Sequence, residues 1–164
     1  MRKMKRFIQI FLTAVLFQLC VVPSASSAII DVMIVFDSTA TTWVASKGGM
    51  TAFANDAVAK LNAAAANSNL NLTFHLVHKA EVSYTHSKDL STDLTNLQAG
   101  SGNLSVVLQW RDTYGADIVV MMVDTGSESG WVGQGYLLDS YNGDPDYAYS
   151  VNGIRAVAIS HELS

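Results

Sequence analysis

Cysteine is nearly absent from this chain, and basic side chains are scarce after residue 28. The single cysteine, Cys20, lies in the apolar amino-terminal stretch, so no disulfide bond can stabilise residues 29–164. Those residues carry six bases against fourteen acids, a net charge of −8, which disfavours nucleic acids and anionic membranes as partners. Repeats and low-complexity tracts are also missing, and the length suits one domain with a hydrophobic core.

The first 28 residues are typical of a secretion signal. Four positive charges lie between Arg2 and Arg6, an apolar stretch runs from Phe7 to Val22, and small residues from Ser24 to Ala28 form a cleavage site. A retained membrane anchor is the alternative, but the small residues that follow the apolar stretch disfavour it. We therefore expect cleavage after Ala28, secretion to the periplasm or the extracellular space, and no stable membrane association of the mature protein.

Apolar patterning in the rest of the chain predicts an α/β fold with a mostly parallel twisted sheet and crossover helices. A nearly continuous β-branched run from Ile29 to Phe36 is typical of a strand covered on both faces. Helical spacing follows from Thr51 to Ala66, and strand patterning returns from Leu70 to Tyr84. This β-α-β order implies a right-handed crossover and a parallel sheet.

Further elements are expected along the second half of the chain from the same patterns. They are a short helix at 90–97, a helix capped by Asn103 and closed by Tyr114-Gly115, a strand at 116–123, a polar glycine-rich loop at 124–135, short strands at 136–138 and 147–151, and a last helix from residue 156.

The final residues, Ala158 to Ser164, begin a helix that carries adjacent His161 and Glu162. In the zinc-protease pattern H-E-x-x-H, two histidines one turn apart face the metal, and the glutamate reaches the metal-bound water. The second histidine would fall at position 165, one residue beyond this sequence. A bare His-Glu pair also occurs by chance, so its meaning depends on the sequence before it.

That preceding sequence resembles the secreted metzincin metallopeptidases, in particular the bacterial reprolysin-like group. The most specific part is the stretch Arg111-Asp112-Thr113-Tyr114-Gly115-Ala116-Asp117. The matching segments together are Ile30–Val35, Leu76–His78, Val82–Tyr84, Leu108–Asp117, Gly130–Val132 and Ser160–Leu163. The resemblance implies a metzincin-like amino-terminal subdomain of a zinc endopeptidase that acts on proteins or peptides.

The resemblance also implies that His161 is the first zinc ligand and Glu162 the general base. Catalytic zinc takes three protein ligands and lowers the pKa of its bound water to about 7, where a carboxylate can accept the proton. The family's other two histidines, its helix-ending glycine and its methionine turn have no counterparts here, and Ser164 stands where the family usually has glycine. We therefore expect a domain over residues 29–164 that is incomplete at its carboxyl end and inactive alone. Three further histidines are interpreted as sheet-packed or surface side chains rather than substitute ligands: His75, His78 and His86.

A substrate cleft is implied by the same resemblance. In metzincins an edge strand binds an extended peptide through backbone hydrogen bonds, so Gly130, Trp131, Val132 and Gly133 would line the cleft. The alternative is an ordinary glycine-rich turn with Trp131 packed on the core.

A competing function comes from the segment Asp37-Ser38-Thr39-Ala40-Thr41, which directly follows the first strand. It is similar to the metal-dependent adhesion site of von Willebrand factor A-like domains, which are binding modules. Its oxygen atoms suit Mg²⁺ or Ca²⁺, and Asp124-Thr125-Gly126 is a candidate second ligand loop. However, that motif usually has serine at both alcohol positions, and the crossovers here are too few. A capping turn at Asp37 is the simpler interpretation.

Overall fold

The computed structural model describes residues 27–126, 132–137 and 143–157. They form a five-stranded sheet in the order β2-β1-β3-β5-β4. The strands are β1 (Ala28–Phe36), β2 (Leu72–Glu81), β3 (Ile118–Val123), β4 (Gly133–Gly135) and β5 (Tyr149–Gly153). The helices are α1 (Ser38–Ala45), α2 (Gly49–Asn67), α3 (Leu90–Ala99) and α4 (Ser105–Tyr114). Residues 154–157 form a further helical segment, here called the terminal helical turn.

Four of these strands run parallel, and β4 pairs antiparallel with β5. This topology confirms the predicted α/β class with a mostly parallel sheet, and the β1-α2-β2 unit confirms the predicted crossover. No helix in the described part of the chain is long and apolar enough to cross a membrane.

The hydrophobic core lies on both faces of the sheet. Along β1, Ile34 and Phe36 pack towards α1 and α2, whereas Met33 and Val35 pack towards α3 and α4. Successive side chains of a strand point to opposite faces, so a central strand covered on both sides needs an apolar residue at nearly every position. This explains the continuous apolar runs of β1 and β3.

Helix α1 was not predicted as a helix, because the segment that begins at Asp37 was interpreted as a capping turn or a metal-binding loop. The buried Asp37 begins it by accepting a hydrogen bond from the Ala40 N–H at 2.6 Å. A second correction concerns Asn103, which does not cap α4. Its Nδ2 instead donates to the Ser83 carbonyl at 3.0 Å, and α4 begins at Ser105 without a side-chain cap.

The strand predictions in the second half also need correction. The strand expected at 136–138 lies earlier, at Gly133–Gly135, within the segment interpreted as a loop. The strand expected at 147–151 begins two residues later, because Pro145–Tyr147 forms a 3₁₀ turn capped by Asp144. Gly100 and Gly115 end α3 and α4 in the left-handed conformation (φ 62° and 64°), which glycine adopts without steric cost, and this confirms the predicted helix end at Tyr114-Gly115.

Candidate active site

Strand β4 is one edge of the sheet, and no strand among the described residues pairs with its outer side. The Gly153 N–H donates to the Val132 carbonyl at 3.0 Å, and Gly133 lies opposite Asn152. Hydrogen-bonded positions alternate along an antiparallel pair, so the N–H and C=O groups of Gly133 and Gly135 point away from β5. An extended peptide can therefore add to this edge through backbone hydrogen bonds.

A shallow trough of about 400 Å³ lies beside the edge strand. Its lining comes from β4, from β5 and from the terminal helical turn: Val132, Gly133, Gln134, Gly135, Ser150, Asn152, Ala156 and Val157. A Cβ atom added to Gly133 would overlap Asn152 Oδ1, whereas one added to Gly135 would meet Ser150 Cβ at an ordinary 3.5 Å. A side chain at position 133 would therefore displace the Asn152 amide.

The far end of the edge strand is held by a glutamine on α3. The Tyr136 hydroxyl donates to Gln98 Oε1 at 2.7 Å, and Gln98 Nε2 donates to the Asp146 carbonyl at 2.7 Å. The Tyr136 ring also meets the Tyr147 ring edge-on, with 5.1 Å between centroids. These contacts attach the residue that follows β4 to α3 and to the 3₁₀ turn before β5.

The terminal helical turn starts immediately after β5 and is anchored at its first two residues. Ile154 is fully buried in the core on the α1 and α2 face. Arg155 binds Asp124 at the carboxyl end of β3, with Nε to Oδ1 at 2.6 Å and Nη2 to Oδ2 at 3.0 Å. The hydrogen bond from Arg155 lowers the pKa of Asp124 and outweighs the opposing effect of burial. The pKa of Arg155 is raised by the same hydrogen bond.

Two of the predicted cleft residues lie at this edge. Gly133 is the first residue of β4, and Val132 precedes it with 66% of its surface exposed. Gly130 and Trp131 fall outside the described residues, as do His161 and Glu162. Sequence analysis missed the anchors Asn152, Gln98 and Arg155, because their partners are distant in sequence.

The competing metal site at Asp37 is not supported by the geometry. Both carboxylate oxygens of Asp37 accept from the Thr39 hydroxyl, at 2.8 and 2.9 Å, and the Ala40 N–H binds the first of them. The side chain is fully buried as a helix cap, and Asp124 is paired with Arg155. In the part of the chain that the structure describes, no group of three or more His, Cys, Asp or Glu side chains could hold a metal ion.

The three remaining histidines lie apart from this edge in packing or surface environments, as predicted. His75 is exposed, with Nδ1 at 3.0 Å from Asp31 Oδ1. His78 stacks on Tyr114, with ring centroids 3.9 Å apart and planes 7° apart. His86 accepts from the Lys88 N–H at 3.2 Å.

Known proteins resemble this chain in sequence and in structure. The sequence model of the metallo-peptidase family M12 matches residues 26–163. A peptidyl-Asp metalloendopeptidase of Xanthomonas campestris pv. campestris is 32% identical over 108 residues, which are 65% of this chain and 25% of that protein. A solved structure described as a chaperone-substrate complex matches 84% of this chain and 25% of its own chain, at 18% identity and a TM-score of 0.65. The structural match concerns the fold alone. The chain spans about a quarter of the length of each of these two proteins.

Proposed function

This chain belongs to the metallo-peptidase family M12, and on that premise we propose that it supplies the substrate-binding strand, the first metal ligand and the general base of a secreted zinc endopeptidase. The observation that carries the proposal is the outer edge of β4, with which no described strand pairs and which lies beside the terminal helical turn. Residue 157, the last described residue of that turn, precedes His161 and Glu162 by a few positions.

His161 and Glu162 have different roles in the proposed chemistry. A bound zinc ion supplies Lewis acidity and an acidified water. His161 would bind the ion through a neutral imidazole nitrogen, and the Glu162 carboxylate would accept the proton of the attacking water and pass it to the leaving amine. Since zinc in such sites takes three protein ligands, the site would need two ligands besides His161.

Strand β4 would hold the substrate in an extended conformation. The outward N–H and C=O groups of Gly133 and Gly135 match the hydrogen-bonding period of a peptide strand. Backbone recognition of this kind accepts many sequences, so side-chain selectivity would depend on pockets elsewhere. Val132 would contact the substrate or line the cleft with its exposed side chain. Gly130 and Trp131 would extend the same cleft.

Secretion is proposed from the amino-terminal 28 residues, whose charged start, apolar stretch and small-residue exit suit signal cleavage after Ala28. Amino-terminal sequencing of the exported protein tests this part directly. A mature start elsewhere than Ile29 would refute the cleavage assignment.

The peptidase proposal is tested on a longer form that adds the natural continuation, or a grafted one with His at 165 and 171 and glycine at 168. Casein and aspartate-containing peptides serve as substrates, since the relative is named a peptidyl-Asp metalloendopeptidase. We expect about one zinc ion per chain and chelator-sensitive cleavage. His161→Ala should lose the metal, whereas Glu162→Ala should keep it and lose most of the rate. Equal zinc content in the unchanged protein and His161→Ala would refute the ligand assignment.

A further inference from the structure

Arg155 is an unexpected residue for its position. It is the second residue of the terminal helical turn, where the helix dipole disfavours a positive charge. Asp124 offsets this cost, because its carboxylate neutralises the guanidinium through two hydrogen bonds of 2.6 and 3.0 Å. Such forked pairs fix both side chains in one geometry, which a single contact does not.

Asp124 also connects this pair to the chain that leads towards the edge strand. Its Oδ1 accepts from the Gly126 N–H at 3.0 Å, so one carboxylate joins the end of β3, the start of the β3–β4 connection and the helix start. The Asp124 side chain is 13% exposed and that of Arg155 is 44% exposed. The pair is therefore more shielded from solvent on the Asp124 side than a typical surface ion pair.

Ile154 supplies a second, independent anchor. It is fully buried in the core formed by α1, α2 and the sheet, and adjacent residues of a helix point about 100° apart. Burial of Ile154 on one side and pairing of Arg155 with Asp124 on another side fix both the rotation of the helix about its axis and the position of its first turn.

We propose that Asp124 and Arg155 are positioning residues, which fix the terminal helical turn relative to the substrate-binding strand β4, a few residues before His161 and Glu162. The inference rests on the proposed function, because that function assigns the two catalytic roles to residues that follow this turn. It adds two residues that no sequence motif identifies, one at the end of a central strand and one before the His-Glu pair.

The test compares Arg155→Gln, Arg155→Lys and Asp124→Asn in the longer, zinc-loaded protein. The matched control is Lys60→Gln, which breaks a different ion pair, between Lys60 Nζ and Asp56 Oδ2 on α2 at 3.8 Å. Three quantities are measured: kcat and KM separately, zinc affinity by competition with a chelator, and amide hydrogen exchange of the metal-free protein near residues 154–161.

We expect Arg155→Gln and Asp124→Asn to lower kcat about 10-fold to 100-fold, with KM changed less than threefold, because catalytic groups displaced by about an ångström lose that much rate. Zinc affinity should fall, and exchange should rise locally. Arg155→Lys keeps the positive charge but loses the two-hydrogen-bond pairing with the Asp124 carboxylate. Its kcat should therefore lie between those of Arg155→Gln and the unchanged protein. Lys60→Gln should match the unchanged protein.

Unchanged kcat, zinc affinity and local exchange in both Arg155→Gln and Asp124→Asn would overturn the inference while leaving the peptidase proposal intact. If Asp124→Asn loses its structure globally, Arg155→Gln still tests the ion pair. The Arg155 side chain is half-exposed, so its replacement does not open the core. If the unchanged protein shows no Glu162-dependent cleavage, the proposed function fails. Hydrogen exchange of the metal-free variants still decides whether the pair orders the helix, and unchanged exchange would overturn the inference.

Discussion

The side-chain amide of Asn62 pairs with both backbone groups of Phe74. Phe74 N–H donates to Asn62 Oδ1 at 2.7 Å, and Asn62 Nδ2 donates to the Phe74 carbonyl at 2.9 Å. Asn62 belongs to α2 and Phe74 to β2, the edge strand opposite β4, so the amide occupies the place of a neighbouring strand. A register shift between Val32 and Met33 further interrupts the β1–β2 ladder. Blocked edges resist strand addition, whereas no described strand pairs with the outer edge of β4.

Asn62→Ala should therefore destabilise the fold and expose the edge of β2. We expect a loss of about 1–3 kcal/mol in the free energy of unfolding, because both backbone groups of half-buried Phe74 lose their partner. Urea denaturation measures the loss, and light scattering should detect more aggregation. Asn67→Ala, at an exposed position of the same helix, is the control. Equal stability of the two variants would contradict the role given to Asn62.

Gly133→Ala should disturb the edge strand more than Gly135→Ala. The added methyl overlaps Asn152 Oδ1 only at position 133, so the Asn152 side chain or the edge strand has to move. In the longer, active form we expect KM for an extended peptide to rise severalfold for Gly133→Ala and little for Gly135→Ala. Adding Asn152→Ala to Gly133→Ala should recover most of the loss. A larger effect at position 135 would show that the overlap does not control the strand.

Protonation of His78 should destabilise the folded chain at acid pH. Desolvation by burial, and then the charge of Lys79, lower the pKa of His78 below its ordinary 6.5. The unfolded chain therefore binds the proton first, so the free energy of unfolding should fall as the pH drops below about 6.5 and level off below the folded-state pKa. Urea midpoints between about pH 8 and about pH 5 measure this slope. The slope should flatten in His78→Phe, which can still stack on Tyr114, and persist in His75→Gln.

Asp37→Ala should destabilise the protein equally with and without divalent cations. Loss of the cap on α1 costs about 0.5–2 kcal/mol, and the carboxylate is already engaged by Thr39 and Ala40. Thermal unfolding with and without millimolar Mg²⁺ or Ca²⁺ is the measurement. The adhesion-type metal site would be supported if divalent cations raised the Tm of the unchanged chain but not that of Asp37→Ala.

The 164-residue chain should show no peptidase activity by itself. A single histidine does not hold catalytic zinc with useful affinity, because three protein ligands are needed. Unfolded casein with added zinc is a suitable substrate for the mature chain. Chelator-sensitive cleavage that disappears in Glu162→Gln would contradict this prediction.

Local patterning was sufficient for much of the fold. The apolar run at 29–36 and the helical spacing at 51–66 predict β1 and α2 closely. A strand buried on both faces has a continuous apolar run, and a helix buried on one face has apolar residues at helical spacing. Strand β4 has no such apolar pattern. Gly133 and Gly135 disfavour a strand intrinsically, and the segment becomes one only by pairing with β5.

The sequence by itself determined the α/β class, the parallel crossover, the glycine helix ends and the family resemblance that leads to His161 and Glu162. Tertiary structure alone decided which strands lie at the edges of the sheet, which side chain Gly133 approaches, and that Asp124 binds Arg155. The physical reason is the range of the interactions. Periodicity and capping act between residues a few positions apart, whereas Asn62 with Phe74, Gly133 with Asn152 and Asp124 with Arg155 meet only after the sheet has brought distant segments together.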